Sequence, residues 1–228
     1  MNKIYIMNVS FLKDDKLFAR ALEQADIERR KKVLSYKQNG DKVRSIAADL
    51  LLRFAYKEHD SERDMPEIVY NNHGKPYFKG ENVPYFNLSH SHDYVVCALS
   101  DRENGIDIEK IRPGRLRLAN RFFHEEEQRY LADLQVGQEE TFFKIWCLKE
   151  SFVKYTGNGL GQGLASFSAV PWLCGESIQW NRKTVYGVIT EPVPEYYCGI
   201  CGEEDITDVC YQEVSGDNIC FSGKSMIK

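Results

Sequence analysis

Two stretches in the first half of the chain have the apolar spacing of amphipathic helices. They are LFARALEQADIERRKKVLSY, residues 17–36, and KVRSIAADLLLRFAYKEH, residues 42–59. In the second stretch Ile46, Leu50 and Phe54 recur at a spacing of four, which predicts that one face of this helix belongs to a core. An Asn-Gly-Asp turn precedes that helix, and we expect Asp41 to act as its N-cap.

Short strand-like runs separated by turns follow the helices of each half. After the first helices they are EIVY, NNHGKPYF, PYFNLSHS and YVVCALS, and then GIDIE. In the second half a long helical region, residues 125–156, is broken near Gly137 and precedes LASFSAV, SIQW, TVYGVIT and YYCGIC. Helices grouped before short strands favour an α+β fold over a doubly wound parallel sheet. We therefore predict two similar α+β subdomains, residues 1–104 and 105–228, packed together.

Two carboxylates share one face of the strand GIDIE. Because successive side chains of a strand point to opposite faces, Ile106 and Ile108 can face a core while Asp107 and Glu109 project from the other side. The like charges repel, and Mg²⁺ would relieve this repulsion because it prefers oxygen ligands. Most such pairs are simply exposed strand residues, so the metal hypothesis depends on what else converges there.

The helical segment FFKIWCLKESFVKYTG carries a third carboxylate. Glu150 and Lys154 lie about 40° apart around a helix, on adjoining turns. A Glu–Lys pair at this spacing commonly stabilises an exposed helix. The alternative is that Glu150 faces the same metal as the strand carboxylates, while Lys149 and Lys154 contact phosphate.

Two further motifs carry weaker signals. If FNLSHSH is a strand, His90 and His92 share a face and could bind zinc, or Ser89 and His90 could donate hydrogen bonds to an anion. The segment HGKPYF predicts a rigid turn that presents Lys75. Any surface turn would explain the second motif equally well.

Composition narrows the class of protein. A hydrophobic fraction of 43% and a charged fraction of 28% are ordinary for a soluble globular protein, and a net charge of −4 gives no reason to expect nucleic acid as a partner. The seven cysteines are scattered and odd in number, and the motif CGIC lacks a second pair of zinc ligands. The amino terminus does not resemble a signal peptide, and no apolar run approaches the ~20 residues of a membrane helix. We therefore expect a cytoplasmic protein with no membrane partner.

One segment differs from this acidic average. Five basic residues follow the strand carboxylates closely: Lys110, Arg112, Arg115, Arg117 and Arg121. A charge run alone is usually a solvated face. Beside an acidic pair, this segment is also a candidate surface for phosphates or for an acidic protein.

Taken together, these stretches resemble phosphopantetheinyl transferases of the surfactin-synthetase-activating (Sfp) type. The matching motifs span most of the chain: Arg44 on the second helix, GKP at 74–76, FNLSHS at 86–91, GIDIE at 105–109, and WCLKES at 146–151 with Lys154 and Gly157. The resemblance implies two α+β units related by a pseudo-twofold axis, with the active site at their interface. It also implies transfer of the 4′-phosphopantetheine arm of coenzyme A (CoA) to a serine of an apo acyl or peptidyl carrier protein, with release of adenosine 3′,5′-bisphosphate.

The same resemblance implies roles for individual residues. Asp107, Glu109 and Glu150 would hold Mg²⁺, with Mn²⁺ as a substitute. The catalytic residues would be Glu150, Lys154 and Asp107, with Glu150 as the base for the serine, directly or through water. The implied CoA contacts are Arg29, Lys32, Arg44, Lys75, Pro76, Ser89, His90, Lys149 and Lys154, with His90 near the 3′-phosphate. The basic segment would lie near the docked carrier, and a chain that already contains both units is expected to be a monomer.

Two other functions fit the same residues. A Mg²⁺-dependent hydrolase would use the carboxylates on the pyrophosphate of CoA or a nucleotide, with water as the acceptor. A module that only binds CoA or a carrier protein would have no need of three metal ligands and Lys154 together.

Overall fold

The computed structural model describes residues 3–206 and 208–220. In the first half the elements are β1 (Lys3–Asn8), α1 (Asp15–Gln24), α2 (Ile27–Ser35), α3 (Asn39–His59), β2 (Ile68–Tyr70), β3 (Pro76–Phe78), β4 (Tyr85–Ser91) and β5 (Tyr94–Ser100). The second half continues with β6 (Asn104–Lys110), α4 (Ala119–Phe122), α5 (Glu125–Asp133), α6 (Gln138–Thr156), α7 (Val170–Leu173), β7 (Ile178–Trp180), β8 (Lys183–Val193), β9 (Tyr196–Gly202), β10 (Tyr211–Glu213) and α8 (Gly216–Cys220). None of the helices in these ranges is long and apolar enough to cross a membrane.

The longer strands form two four-stranded sheets. The first has the order β10-β1-β5-β4, in which β10 is parallel to β1 and the other neighbours are antiparallel. The second has the order β6-β9-β8-β7 and is antiparallel throughout. Strands β2 and β3 form a separate hairpin. The predicted α+β class is confirmed, while the pseudo-twofold axis stays a prediction.

Aspartate side chains cap the amino ends of the first two helices. The single helical stretch predicted for residues 17–36 is two helices, because the side chain of Asp26 accepts the N–H of Arg29 at 2.8 Å and caps α2. The N-cap assignment of Asp41 is wrong. Helix α3 begins at Asn39, so Asp41 lies in its first turn, where a carboxylate still favours the positive end of the helix dipole.

Helix α3 contributes much of the core on the first sheet. Ile46 and Leu50 are buried and Phe54 packs against the same cluster. The core face predicted from their spacing is therefore confirmed.

Helix α6 lies directly on the backbone of the second sheet. A Cβ atom at Gly105 would lie 1.9 Å from the carbonyl oxygen of Ser151, and one at Gly199 would lie 2.6 Å from that of Cys147. Only glycine allows this approach. The position of α6 relative to β6 is therefore fixed by backbone contact.

Residues 211–219 lie with the first half, although the predicted division assigns them to residues 105–228. Strand β10 pairs with β1, with Tyr211 opposite Ile4, and Val214 and Ile219 join the core of the first half. The chain returns to the first sheet because these apolar side chains are buried there. For the remaining residues the division stays a prediction.

The segment LASFSAV is not a strand. It forms a 3-10 turn, Leu164–Ser166, that leads towards α7. Its main-chain polar groups bond to side chains: Phe167 O accepts from Lys149, and Ala169 N–H donates to Glu127. These bonds replace those of a neighbouring strand.

Strands β4 and β6 meet where the two sheets adjoin, through side chains rather than through a ladder. Asn87 Oδ1 accepts the N–H of Ile106 at 3.3 Å, and Ser89 Oγ accepts the N–H of Ile108 at 3.3 Å. Ser91 Oγ continues this pattern at 3.2 Å from the N–H of Lys110. Alternate residues of β4 reach β6 because they share one face of their strand.

Candidate active site

The carboxylates of Asp107 and Glu109 lie at this junction of β4 and β6. Ile106 and Ile108 are fully buried on the opposite face, as the alternation predicted. Asp107 is only 5% exposed and Glu109 is half-buried. The fold therefore desolvates both acids.

Two serines of β4 hold these carboxylates. Ser89 Oγ donates to Asp107 Oδ1 at 2.8 Å, and Ser91 Oγ donates to Glu109 Oε2 at 2.7 Å. The hydroxyl proton of Ser89 is thus directed at a carboxylate, and its lone pairs accept from Lys154 and a β6 amide. In this arrangement the Ser89 hydroxyl orients Asp107, and the role of Ser89 in binding CoA stays a prediction.

Lys154 completes the cluster from α6. Its Nζ atom lies 2.7 Å from Asp107 Oδ1 and 2.8 Å from Ser89 Oγ, while 29% of its side chain remains exposed. Glu150 lies one turn earlier on the same helix and is half-buried. The structure therefore brings together Asp107, Glu109, Glu150 and Lys154, the four residues predicted to form the chemical centre.

Burial and mutual repulsion alter the acidity of this cluster. Burial, followed by the negative charge of Asp107, raises the pKa of Glu150 from 4.5 to about 7, although Lys154 opposes the change. Burial and then Asp107 also raise the pKa of Glu109. Three carboxylates lie near two basic groups, Lys154 and Arg112, so acidic groups outnumber basic ones in the cluster.

One acid of the cluster has an unsatisfied oxygen that a divalent cation could bind. Asp107 Oδ2 is buried and has no hydrogen-bond partner, which is costly unless a ligand satisfies it. Carboxylate oxygens are the ligands that Mg²⁺ prefers. Within residues 3–206 and 208–220, no three His, Cys, Asp or Glu side chains are placed so that they could hold a metal ion together, so the three carboxylates are not in coordinating positions in this structure. The assignment of Asp107, Glu109 and Glu150 as metal ligands stays a prediction.

Positive groups gather beside the carboxylates. His90 is exposed at the end of β4, and its pKa is lowered by desolvation and then by the charges of Lys154 and Arg44. Arg44 is 2.6 Å from Asp41 and donates to the carbonyl of His92. This positive region is suited to an anion, and the CoA roles of His90 and Arg44 stay predictions.

The zinc interpretation is contradicted. Strand β4 ends at Ser91, and His92 lies in the following turn with a φ of 49°. His90 and His92 therefore do not share a strand face. Cys198 and Cys201 are buried within β9, the strand predicted from YYCGIC.

The Gly-Lys-Pro motif forms the predicted turn between β2 and β3. Lys75 Nζ donates to the carbonyl of Tyr155 at 2.8 Å and lies 3.7 Å from Glu103. Burial lowers the pKa of Lys75. Pro76 opens β3. The turn thus contacts the end of α6, and the CoA roles of Lys75 and Pro76 stay predictions.

Arg29 and Lys32 project from α2. Arg29 Nε is 3.5 Å from Asp49, and its guanidinium also donates to a carbonyl of α3. Lys32 lies over the ring of Tyr70 and contacts its hydroxyl at 3.3 Å. These contacts neither support nor exclude a role in CoA binding.

Lys149 must be removed from the predicted site. It is completely buried, 2.6 Å from Glu127 Oε1 and 2.6 Å from Phe167 O. Neighbouring residues on a helix project about 100° apart, so Lys149 points away from the face that carries Glu150. A phosphate could not reach its ammonium group.

Sequence reasoning missed three residues that support the site. Ser91 follows the same alternation as Ser89 and could have been found from it. Glu127, from an acidic run at the start of α5, and Asn71, before the Gly-Lys-Pro turn, gave no signal that separated them from surface residues.

Comparison with known proteins identifies relatives of the whole arrangement. A family model described as the 4′-phosphopantetheinyl transferase superfamily matches residues 103–201, which include β6 and α6. The chain is 32% identical over 197 residues to 4′-phosphopantetheinyl transferase Sfp of Bacillus subtilis strain 168, covering 82% of this chain and 88% of the relative.

Two further relatives agree. The 4′-phosphopantetheinyl transferase gsp of Aneurinibacillus migulanus is 35% identical over 203 residues, covering 85% of this chain and 83% of its own. The 4′-phosphopantetheinyl transferase psf-1 of Bacillus pumilus is 36% identical over 174 residues, covering 73% and 74%. The similarity therefore extends over both sheets.

Proposed function

The chain belongs to the 4′-phosphopantetheinyl transferase superfamily, and from this premise we propose that it transfers the 4′-phosphopantetheine group of CoA to a serine hydroxyl of an apo carrier protein. Adenosine 3′,5′-bisphosphate would be the other product. The observation that carries this proposal is the cluster of Asp107, Glu109, Glu150 and Lys154, in which a buried carboxylate oxygen lacks a partner.

Asp107, Glu109 and Glu150 would hold Mg²⁺, or Mn²⁺ in its place. The ion would stabilise the charge that develops on the pyrophosphate oxygens. Burial and then the charge of Asp107 raise the pKa values of Glu109 and Glu150, and a bound cation would oppose both effects by favouring the ionised carboxylates.

Lys154 and Glu150 have complementary tasks in this mechanism. Lys154 is partly exposed and can neutralise charge on the pyrophosphate. Glu150 would accept the proton of the incoming serine, directly or through a water. Carboxylates are among the side chains that act as general bases, and Glu150 lies one turn before Lys154 on α6, on the side of Asp107 and Glu109.

The positive region beside the cluster would bind the rest of CoA. His90 would lie near the 3′-phosphate with Arg44, and Lys75 and Pro76 would hold the adenosine end. Arg29 and Lys32 would assist from α2. A bound phosphate would favour protonation of His90, whose pKa is lowered by desolvation and then by Lys154 and Arg44.

The basic segment from Lys110 to Arg121 would guide the acidic carrier. Arg112 lies 3.7 Å from Glu109, so the segment begins at the site itself, and Arg117 and Arg121 are exposed. Such steering speeds encounter and weakens with salt. We also propose a monomer in the cytoplasm, where the six thiols that the structure describes as free would stay reduced.

The direct test is the intact mass of an apo peptidyl carrier protein incubated with the purified chain, CoA and Mg²⁺. We expect a gain of one phosphopantetheine, absent with excess chelator and absent for a carrier whose target serine is alanine. Breakdown of CoA without carrier modification would instead identify a hydrolase. CoA binding with neither reaction, over several carrier types, would identify a binding module.

A further inference from the structure

The turn between β2 and β3 caps the carboxyl end of α6. Asn71 Nδ2 donates to the carbonyl oxygen of Gly157 at 2.9 Å, and Lys75 Nζ donates to that of Tyr155 at 2.8 Å. The last carbonyls of a helix have no partner within the helix. The turn therefore supplies partners for two of them.

Asn71 also shapes the turn itself. Its Oδ1 atom accepts the N–H groups of His73 and Lys75, both at 2.9 Å. Its backbone N–H donates to the carbonyl of Lys75 at 3.0 Å. One amide side chain thus uses its oxygen for the turn and its nitrogen for α6.

The two elements touch without room for another side chain. Gly157 has a φ of 67°, and a Cβ atom there would lie 2.9 Å from Lys75 Cδ and 3.0 Å from Asn71 Nδ2. Glycine is favoured by both the left-handed conformation and the contact. Any movement of the turn is therefore transmitted to the end of α6.

We propose that Asn71 is a positioning residue that fixes the turn carrying Lys75 and Pro76 against the helix carrying Glu150 and Lys154. The proposal rests on the proposed function, in which the turn holds the adenosine end of CoA and the helix acts on the pyrophosphate. The β2–β3 turn and helix α6 would then bind two parts of the same substrate. Their relative position decides whether the pyrophosphate is aligned for attack, and a displacement of about 1 Å can cost on the order of 100-fold in rate.

Asn71→Asp tests the link while preserving the turn. Aspartate keeps an oxygen for the N–H groups of the turn but, when ionised, cannot donate to Gly157 O. We expect kcat with CoA to fall about 10- to 100-fold per folded molecule, at a temperature well below unfolding, with KM for the carrier unchanged. Asn72→Ala, at the exposed neighbouring position, is the matched control and should behave as the natural chain does.

A purely structural role would lower the unfolding temperature but leave kcat per folded molecule unchanged. That result for Asn71→Asp would overturn the proposal. Gly157→Ala should reproduce the loss from the other side of the contact, and the double variant should lose less than the product of the two effects. If the natural chain itself transfers nothing, the proposed function fails and this role fails with it; natural activity matched by Asn71→Asp overturns the positioning role alone.

Discussion

Helix α6 contributes a lysine to each of two ion pairs, and the two pairs are satisfied to different degrees. Lys149 and Glu127 are both 0% exposed, with Nζ and Oε1 2.6 Å apart. Lys154 and Asp107 are as close, at 2.7 Å, but 29% of the lysine side chain is exposed. The same chemistry on one helix is therefore placed in two different environments.

The two ion pairs also differ in how completely their polar atoms are hydrogen-bonded. Glu127 also accepts the N–H groups of Ala169 and His124, and Lys149 also donates to Phe167 O, so the pair joins α5, α6 and the segment before α7. Asp107 keeps a buried oxygen without a partner. A fully bonded pair holds structure together, whereas an incompletely bonded pair beside two other acids can accept a ligand.

The largest effect is expected from breaking the fully bonded pair. Lys149→Met leaves Glu127 as an uncompensated buried carboxylate, and the free energy of unfolding should fall by about 3–5 kcal/mol. Urea unfolding of the natural chain and of Lys149→Met measures this difference in the free energy of unfolding.

Lys154→Met is the matched variant on the same helix. Because Lys154 is partly exposed but Asp107 is buried, removal of the Lys154 charge should cost less than that of Lys149 and more than the ~1 kcal/mol of a fully exposed pair. Equal losses for the two variants would show that the pairs do not differ as their burial indicates.

The second effect concerns activity. Asp107→Asn is nearly isosteric but removes the central charge of the cluster, so the transfer rate should fall by at least about 100-fold. Stability should change little, since one of three repelling carboxylates is lost. The rate of carrier modification at saturating CoA is the measurement, with Asp133→Asn, at an exposed position on α5, as the control. An Asp107→Asn enzyme with the natural rate would separate the cluster from catalysis.

The third effect is the pH dependence of stability in the presence of a chelator. The pKa of Glu150 in the folded state is about 7 and its ordinary value is 4.5. The folded chain therefore holds the proton more tightly, and the resulting stability is complete below pH 4.5 and is lost as the pH rises through 7. Allowing for partial exposure, we expect a loss of roughly 2 kcal/mol.

Urea unfolding at pH 5 and pH 8 in the natural chain and in Glu150→Gln tests this expectation, since the variant should lack the corresponding slope. Excess Mg²⁺ at pH 8 should restore stability to the natural chain. Identical slopes in both proteins would mean that the fold does not raise the pKa of Glu150.

Local periodicity predicted the chemical centre and the core faces well. The period of a strand places Asp107 and Glu109 on one side, and the period of a helix places Glu150 and Lys154 together, so the direction of each side chain follows from its position in the sequence. These four residues lie in one cluster because the fold brings β6 and α6 into backbone contact at Gly105.

The predictions failed for residues whose contact partners are distant in the sequence. Lys149 was predicted to contact phosphate although the helical period directs it about 100° away from Glu150, and no local signal indicated that Glu127 would be its partner. Nor did any local signal show that β10 pairs with β1. Such contacts are decided by tertiary packing, which a local pattern does not record.

The smallest effect tests the hydroxyls that support the incompletely bonded pair. Ser91 Oγ donates to Glu109 Oε2 at 2.7 Å and accepts the N–H of Lys110, so its proton is committed to the carboxylate. Groups that orient metal ligands typically contribute about tenfold in metal affinity or activity. Ser91→Ala should therefore require about tenfold more Mg²⁺ for half-maximal transfer, whereas Ser91→Thr, which keeps the hydroxyl, should not. Calorimetric titration of Mg²⁺ into the chain gives the same comparison without turnover. Unchanged Mg²⁺ dependence in Ser91→Ala would mean that the hydroxyl only links β4 to β6. The proposed ligand-binding role would then be supported by the unsatisfied oxygen of Asp107 and not by the hydrogen bond to Glu109.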